Sequence, residues 1–219
     1  QLYLWSMYRK IFLNILPAVV KKWAPVTGYV TSSPSVPKPG AAKSFYDYLS
    51  HGDMHYYLQY NDNAPYQKIR TVRSRFMTEI GFQSFPSVKT IAQFALERDH
   101  KPDSPIMYAH QKCKNGNEAI EEYMARDYLV PNNFADYVYL SQLQAAEIMR
   151  YTTEHFRRDS DYNRGMILWQ FNDCWPVVSW SGVDYYGRWK ALQYFTKALQ
   201  RFHCPSHLCA SVRRTMESL

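Results

Sequence analysis

No apolar run in this 219-residue chain approaches the roughly 20 residues needed to cross a bilayer, so the sequence offers no membrane-spanning helix. Glycine is sparse, at 8 residues, and there is no repeat or low-complexity stretch, which leaves a globular composition. Four cysteines (Cys113, Cys174, Cys204 and Cys209) do not make a disulfide framework at this length and point to no redox compartment. The chain opens on Gln1 without an initiating methionine, a helix cap or a signal peptide, in the middle of a helical pattern. It is expected to be a piece of a larger protein, and its localisation is left unassigned. The formal net charge is +7, yet Lys and Arg are scattered, and Arg201, Arg213 and Arg214 near the C-terminus account for part of the excess. With no basic stripe and no nucleic-acid motif, nucleic acid is not an expected partner. Aromatic residues, in contrast, are abundant: 19 Tyr, 11 Phe and 6 Trp make up 16% of the chain. They suit either a large core or a surface that stacks on ring-shaped ligands.

Apolar residues from Leu4 to Val20 recur at helical spacing, predicting a first helix over residues 1–23. Short strands are predicted at 29–35, 53–60, 75–81 and 165–173, and helices at 87–95, 119–128, 133–158 and 188–199. A Ser/Pro loop follows the first strand, and polar loops cover much of 99–117. Short buried strands separated by helices and long loops imply an α/β domain with a parallel sheet. Ser32, Ser33, His55, Glu79, Asn172 and Asp173 gather at the C-terminal ends of these strands. That placement is expected of a (β/α)8 barrel, whose chemistry sits at one face. Four strands are half of such a barrel.

One residue breaks the apolar pattern. In "RFMTEIGFQSFP", Glu79 lies among Phe76, Met77, Ile80 and Phe82. A carboxylate there is costly to desolvate unless it is paired or used. From the residues alone, two readings stand level: a structural pair with Arg73 or Arg75, or a catalytic carboxylate.

The runs "RFMTEIGFQSFPS" and "LWQFNDCWPVVSWSGVDYYGRWKALQYF", with "HGDMHYY", "YAHQK", "GNE", "YVYLSQLQAAEIMRY" and "EHFRR" in the same order, resemble the β-mannosidases of glycoside hydrolase family 2. The resemblance covers about residues 1–198. It implies a partial TIM (β/α)8 barrel, approximately strands five to eight with their helices, over residues 1–199. It also implies a retaining exo-β-mannosidase without a cofactor or metal, acting on terminal β-D-mannose of oligosaccharides or glycoconjugates. Glu79 takes the role of catalytic nucleophile, and Trp169 that of the sugar platform. Asn172, His55 and Tyr56 are the further substrate-binding candidates. Trp175 and Trp180 serve packing or binding equally well, and Asp173 either binds sugar or caps a loop.

A retaining glycosidase needs a second carboxyl to protonate the leaving oxygen and then deprotonate water. Glu118 in "KNGNE" does not fit, because family acid/base residues precede the nucleophile; it is expected at a helix start, where the macrodipole favours it. The acid/base is therefore expected upstream of Gln1, and this chain alone is expected to hydrolyse little or nothing. The sequence also departs from the family pattern "HYWxVW", having Asn61 near the place of an aromatic. After Ala198 the family pattern ends, and residues 200–219 are expected to form an atypical, disordered tail. His203, Cys204, His207 and Cys209 there fit no zinc template. Two other readings stay open: a carbohydrate-binding remnant or pseudoenzyme, and a family relative with another glycoside specificity, such as an exo-glucosaminidase or β-galactosidase.

Overall fold

In the computed structural model, residues 2–34, 52–57 and 64–201 are described. The first helical segment comprises α1 (Leu2–Arg9), a π-helical stretch (Lys10–Ile15) and α2 (Leu16–Trp23). None of its residues is buried, so its apolar spacing marks a face open in this chain. The strand predicted at 29–35 does not form over residues 29–34. A strand needs a paired neighbour, and here Val30 is exposed while Ser33 makes its contacts through its side chain.

Among the described residues the strands are β1 (Met54–Tyr56), β2 (Met77–Ile80) and β3 (Met166–Leu168), parallel and in that order. After β2 come α3 (Val88–Ile91), α4 (Pro105–Ala109) and α5 (Gly116–Asp127); α4 lies within the stretch predicted as loop. Helix α6 (Phe134–Arg158) matches its predicted range. Asn133 caps it, its side chain accepting from the amides of Ala135 and Asp136 at 2.8 and 3.2 Å. The closing helix α7 runs Ala191–Arg201, past the expected boundary at residue 199. Residues 202–219, with the Cys/His-rich tail, and Asn61 lie outside the described residues. Among the described residues no helix is long and apolar enough to cross a membrane, and no cluster of metal-ligating side chains is present.

One face of the sheet carries the core. Met54, Tyr56, Met77 and Ile80 pack with Ile69 and Val72 against Met149 and Phe156 of α6 and Leu192 of α7. A second cluster, around Phe85, Ile91, Met107, Ile120, Met124 and Val178, fixes the segments that follow β2. The fold is thus an α/β unit with a small parallel sheet, backed by helices on one side.

Candidate active site

The register of β2 explains how Glu79 escapes that core. Met54 pairs with Met77, His55 with Glu79 and Tyr56 with Ile80, so β2 carries one residue more than β1 between the first two pairs. Across the other edge, Met77 pairs with Met166 and Ile80 with Leu168, again with an extra residue on β2. Strict alternation would put Glu79 on the face of Met77. The bulge instead keeps both Met77 and Ile80 in the core and turns Thr78 and Glu79 away from it.

On the opposite face the side chains from three segments meet. His55 Nδ1 lies 3.5 Å from Glu79 Oε2, and their side chains retain only 20% and 30% exposure. The Tyr57 hydroxyl donates to the same oxygen at 3.2 Å. Burial, and then the charge and hydrogen bond of Glu79, push the Tyr57 phenol well above its ordinary range, so it stays a donor. His55 Nε2 is 2.9 Å from Ser33 Oγ. Ser33 Oγ and Thr78 Oγ1 both donate to Asp53 Oδ2, at 2.5 and 2.6 Å.

The two arginines offered as structural partners are engaged elsewhere. Arg73 is paired with Asp159 at 2.8 Å and lies over the Tyr162 ring, which Arg75 also covers. Glu79 is therefore approached by a histidine and a phenol, not by a guanidinium.

Trp169 follows β3 directly, and its amide donates to the Ile80 carbonyl at 2.9 Å, which sets it beside the exit of β2. Its indole is partly exposed. Asn172 is exposed, and its side-chain amide donates to the Asp173 carbonyl at 3.3 Å, holding it to its own loop. Asp173 is buried, accepting from Ser179 and Ser181 hydroxyls at 2.7 and 2.6 Å and from Gln170 at 3.2 Å. Of its two expected roles, this is the loop-fixing one. Trp175 stacks on His110. Tyr56 is 3% exposed and belongs to the core on the other face of β1, so it is not gathered with Glu79. The residue beside Glu79 is Tyr57, which the sequence reading passed over. Its signal was available: two residues past His55, it shares that residue's face. Glu118 lies in the first turn of α5, where it accepts from the Tyr108 hydroxyl at 2.9 Å.

A second element has no signal in the pattern. Lys190 is 1% exposed, and its ammonium donates to the carbonyls of Ser84 and Ser179, each at 3.0 Å. It thereby joins the segment leaving Glu79 to the loop that follows Trp169. Burial lowers its pKa from 10.5 to about 8, against the opposing pull of Asp173 and Asp184. The folded chain thus holds this proton less tightly than the unfolded chain, and unfolding takes up a proton between about pH 8 and 10.5. Stability from this group is expected to rise across that window by about 3 kcal/mol. Urea unfolding of wild type and Lys190→Met at several pH values measures it, and parallel pH profiles for the two would show that Lys190 does not titrate this way.

No family model matches the chain. It is 35% identical over 191 residues to beta-mannosidase B of Aspergillus terreus, covering 85% of this chain and 22% of that protein. Beta-mannosidase B of Aspergillus niger matches over the same shares at 34% identity. A crystal structure of β-D-mannosidase from Dictyoglomus thermophilum superposes with a TM-score of 0.78 at 31% identity, covering 86% of this chain and 23% of that one. The chain thus spans under a quarter of the length of the relatives it matches. By sequence and by fold the chain is similar to β-mannosidases over about 85% of its own length.

Proposed function

We propose that the chain is part of the catalytic barrel of a retaining exo-β-mannosidase, contributing the nucleophile Glu79 and one wall of the sugar site. The observation that carries this is the bulge in β2. It turns a single carboxylate out of an apolar strand and holds one of its oxygens between His55 and Tyr57. On this reading β1, β2 and β3 are three of the later strands of a (β/α)8 barrel over residues 1–199. Polar side chains at the C-terminal strand ends fit that architecture.

The Glu79 carboxylate attacks the anomeric carbon of a terminal β-mannoside, forming a glycosyl–enzyme bond as the bond to the leaving oxygen breaks. A carboxylic acid from a segment outside this chain gives that oxygen its proton. Water, deprotonated by the same group, then releases mannose. The Trp169 indole offers a flat apolar surface to the C–H face of the pyranose. His55 steadies the nucleophile, while Asn172 lies at the rim within the same loop. No cofactor or metal enters this scheme, and the partner is a carbohydrate.

A domain-replacement chimaera tests the proposal. The stretch of Aspergillus terreus beta-mannosidase B that matches this chain is replaced by the chain itself, and an aryl β-D-mannoside is the substrate. The chimaera is expected to hydrolyse it with retained configuration, and the isolated 219-residue chain to give little or no turnover. Robust turnover by the isolated chain would disprove the need for an acid from elsewhere. A folded chimaera that binds mannose-configured ligands without turnover would favour a carbohydrate-binding role. Preference for an aryl glucosaminide or galactoside would reassign the sugar.

A further inference from the structure

We propose that a cleft bounded by α4, α5 and the start of α6 binds an aliphatic chain carrying ammonium groups. None of Glu79, His55, Tyr57 or Trp169 lines it, so the proposal stands apart from the sugar site. The cleft has a volume of about 620 Å³. Its carboxylates are Asp103 and, from α5, Glu118, Glu121 and Glu122, and no Lys or Arg among the described residues lines it. In a chain with a formal net charge of +7, this is a local reversal of sign.

Two costs are built into this surface. Glu118 stands three and four positions before Glu121 and Glu122, the spacing that brings helical side chains together. Repulsion among them opposes the helix, and a cation between them relieves it. The second cost is Tyr137. Its ring packs edge-on to Phe85 in the second core cluster, and the residue is 2% exposed. Its hydroxyl makes no hydrogen bond of ordinary length and angle to a described residue, and a buried hydroxyl without a partner is expensive. Burial, then Glu121, then Glu118 and Tyr108 raise the phenol above its ordinary range, so the hydroxyl is turned towards the acidic wall of the cleft. Tyr108 shows the arrangement completed, its hydroxyl donating to Glu118 Oε1 at 2.9 Å. An ammonium group drawn between Glu118 and Glu121 sets Glu121 over the Tyr137 hydroxyl, which then donates to it. Each phenol then backs one carboxylate.

The spread of the charge selects the ligand. Among the described residues no three ligating side chains lie close enough to hold one metal ion, so the carboxylates suit separated cationic groups. Ala125, Val130 and Pro131 also line the cleft and offer apolar surface to a methylene spacer. That chemistry belongs to linear polyamines and to the lysine side chains of peptides.

Isothermal titration calorimetry of the 219-residue chain with spermidine tests the proposal. The uncharged control is 1,8-octanediol, and the peptide source is Gly-Lys-Gly-Lys-Gly blocked at both ends. Spermidine is expected to bind with a Kd below about 1 mM at low salt, and to bind more weakly as salt is raised. Glu118→Gln combined with Glu121→Gln is expected to weaken binding roughly tenfold or more; both side chains are exposed, so the fold survives. Tyr137→Phe separates binding from packing. Without ligand it is expected to leave Tm unchanged or raised, because an unpartnered hydroxyl is removed, yet to weaken spermidine binding roughly threefold or more. Tighter binding of the peptide than of spermidine would assign the site to protein-borne lysines, and the reverse to free polyamines. No saturable binding of either up to about 10 mM, equal binding of the diol, or affinity untouched by the double Gln substitution would overturn the proposal. A fall in Tm for Tyr137→Phe would show that its hydroxyl already has a partner, and would overturn its role.

Discussion

Glu79→Gln in the chimaera is expected to lower kcat for an aryl β-mannoside by roughly 10³-fold or more, because the amide cannot form the glycosyl–enzyme bond. The substitution keeps the shape of the side chain and one oxygen to accept from Tyr57 and His55, so the fold is expected to survive. The stereochemistry of rescue makes the assignment sharper. Glu79→Ala leaves a space on the face of the sugar opposite the leaving group. Added azide entering that space is expected to restore turnover of an activated aryl β-mannoside, with the α-mannosyl azide as product. A β-configured azide would mean that Glu79 is the acid/base. An unchanged kcat would remove it from the chemistry altogether.

The second large effect is steric and falls on Gly81. A Cβ built there would lie 1.9 Å from the Trp169 carbonyl oxygen and 3.0 Å from Trp180 Cδ1. Backbone cannot step aside as the end of a flexible side chain can, so the exit of β2 and the Trp169 turn must separate. Gly81→Ala is expected to cost about 3 kcal/mol or more, at the upper end of overpacking penalties. For a chain of this size that is a fall of roughly 6–12 °C in Tm, measurable by circular dichroism on heating. The indole of Trp169 moves with its backbone, so affinity for a mannose-configured iminosugar is expected to fall in parallel. An unchanged Tm would show that the two segments are not in the close contact seen here.

The helices were the most legible part of the sequence. Helix α6 could be read to within a residue because its apolar spacing is long and Asn133 supplies a cap. Strands were harder. The segment at 165–173 reads as buried from composition, yet β3 spans only Met166–Leu168 and Ile167 is exposed. The segment predicted at 29–35 has strand composition, but over residues 29–34 it pairs in no ladder among the described residues. In both cases the missing quantity is the neighbouring strand, which no local pattern contains. Glu79, His55 and Trp169 stood out from their motifs, and the structure gathers them at one end of the sheet. Tyr56, a substrate-binding candidate by the resemblance, is sent by the pleat into the core on the other face of β1.

What the sequence determined by itself is the kind of chain this is. Its apolar periods dictate helices and short strands, and its long specific motifs place it among relatives of the β-mannosidases. These are properties of residue type and order, which survive without coordinates. The tertiary structure alone decided which side chains face one another. An extra residue in β2 reverses the side to which Glu79 points, a shift that any alternation rule misplaces. Likewise, Lys190 reaches two carbonyls 106 and 11 positions away, and Ser33 reaches His55 across 22. Such contacts depend on register and loop closure, which are set by the packing of the whole sheet against its helices and are written in no single stretch of residues.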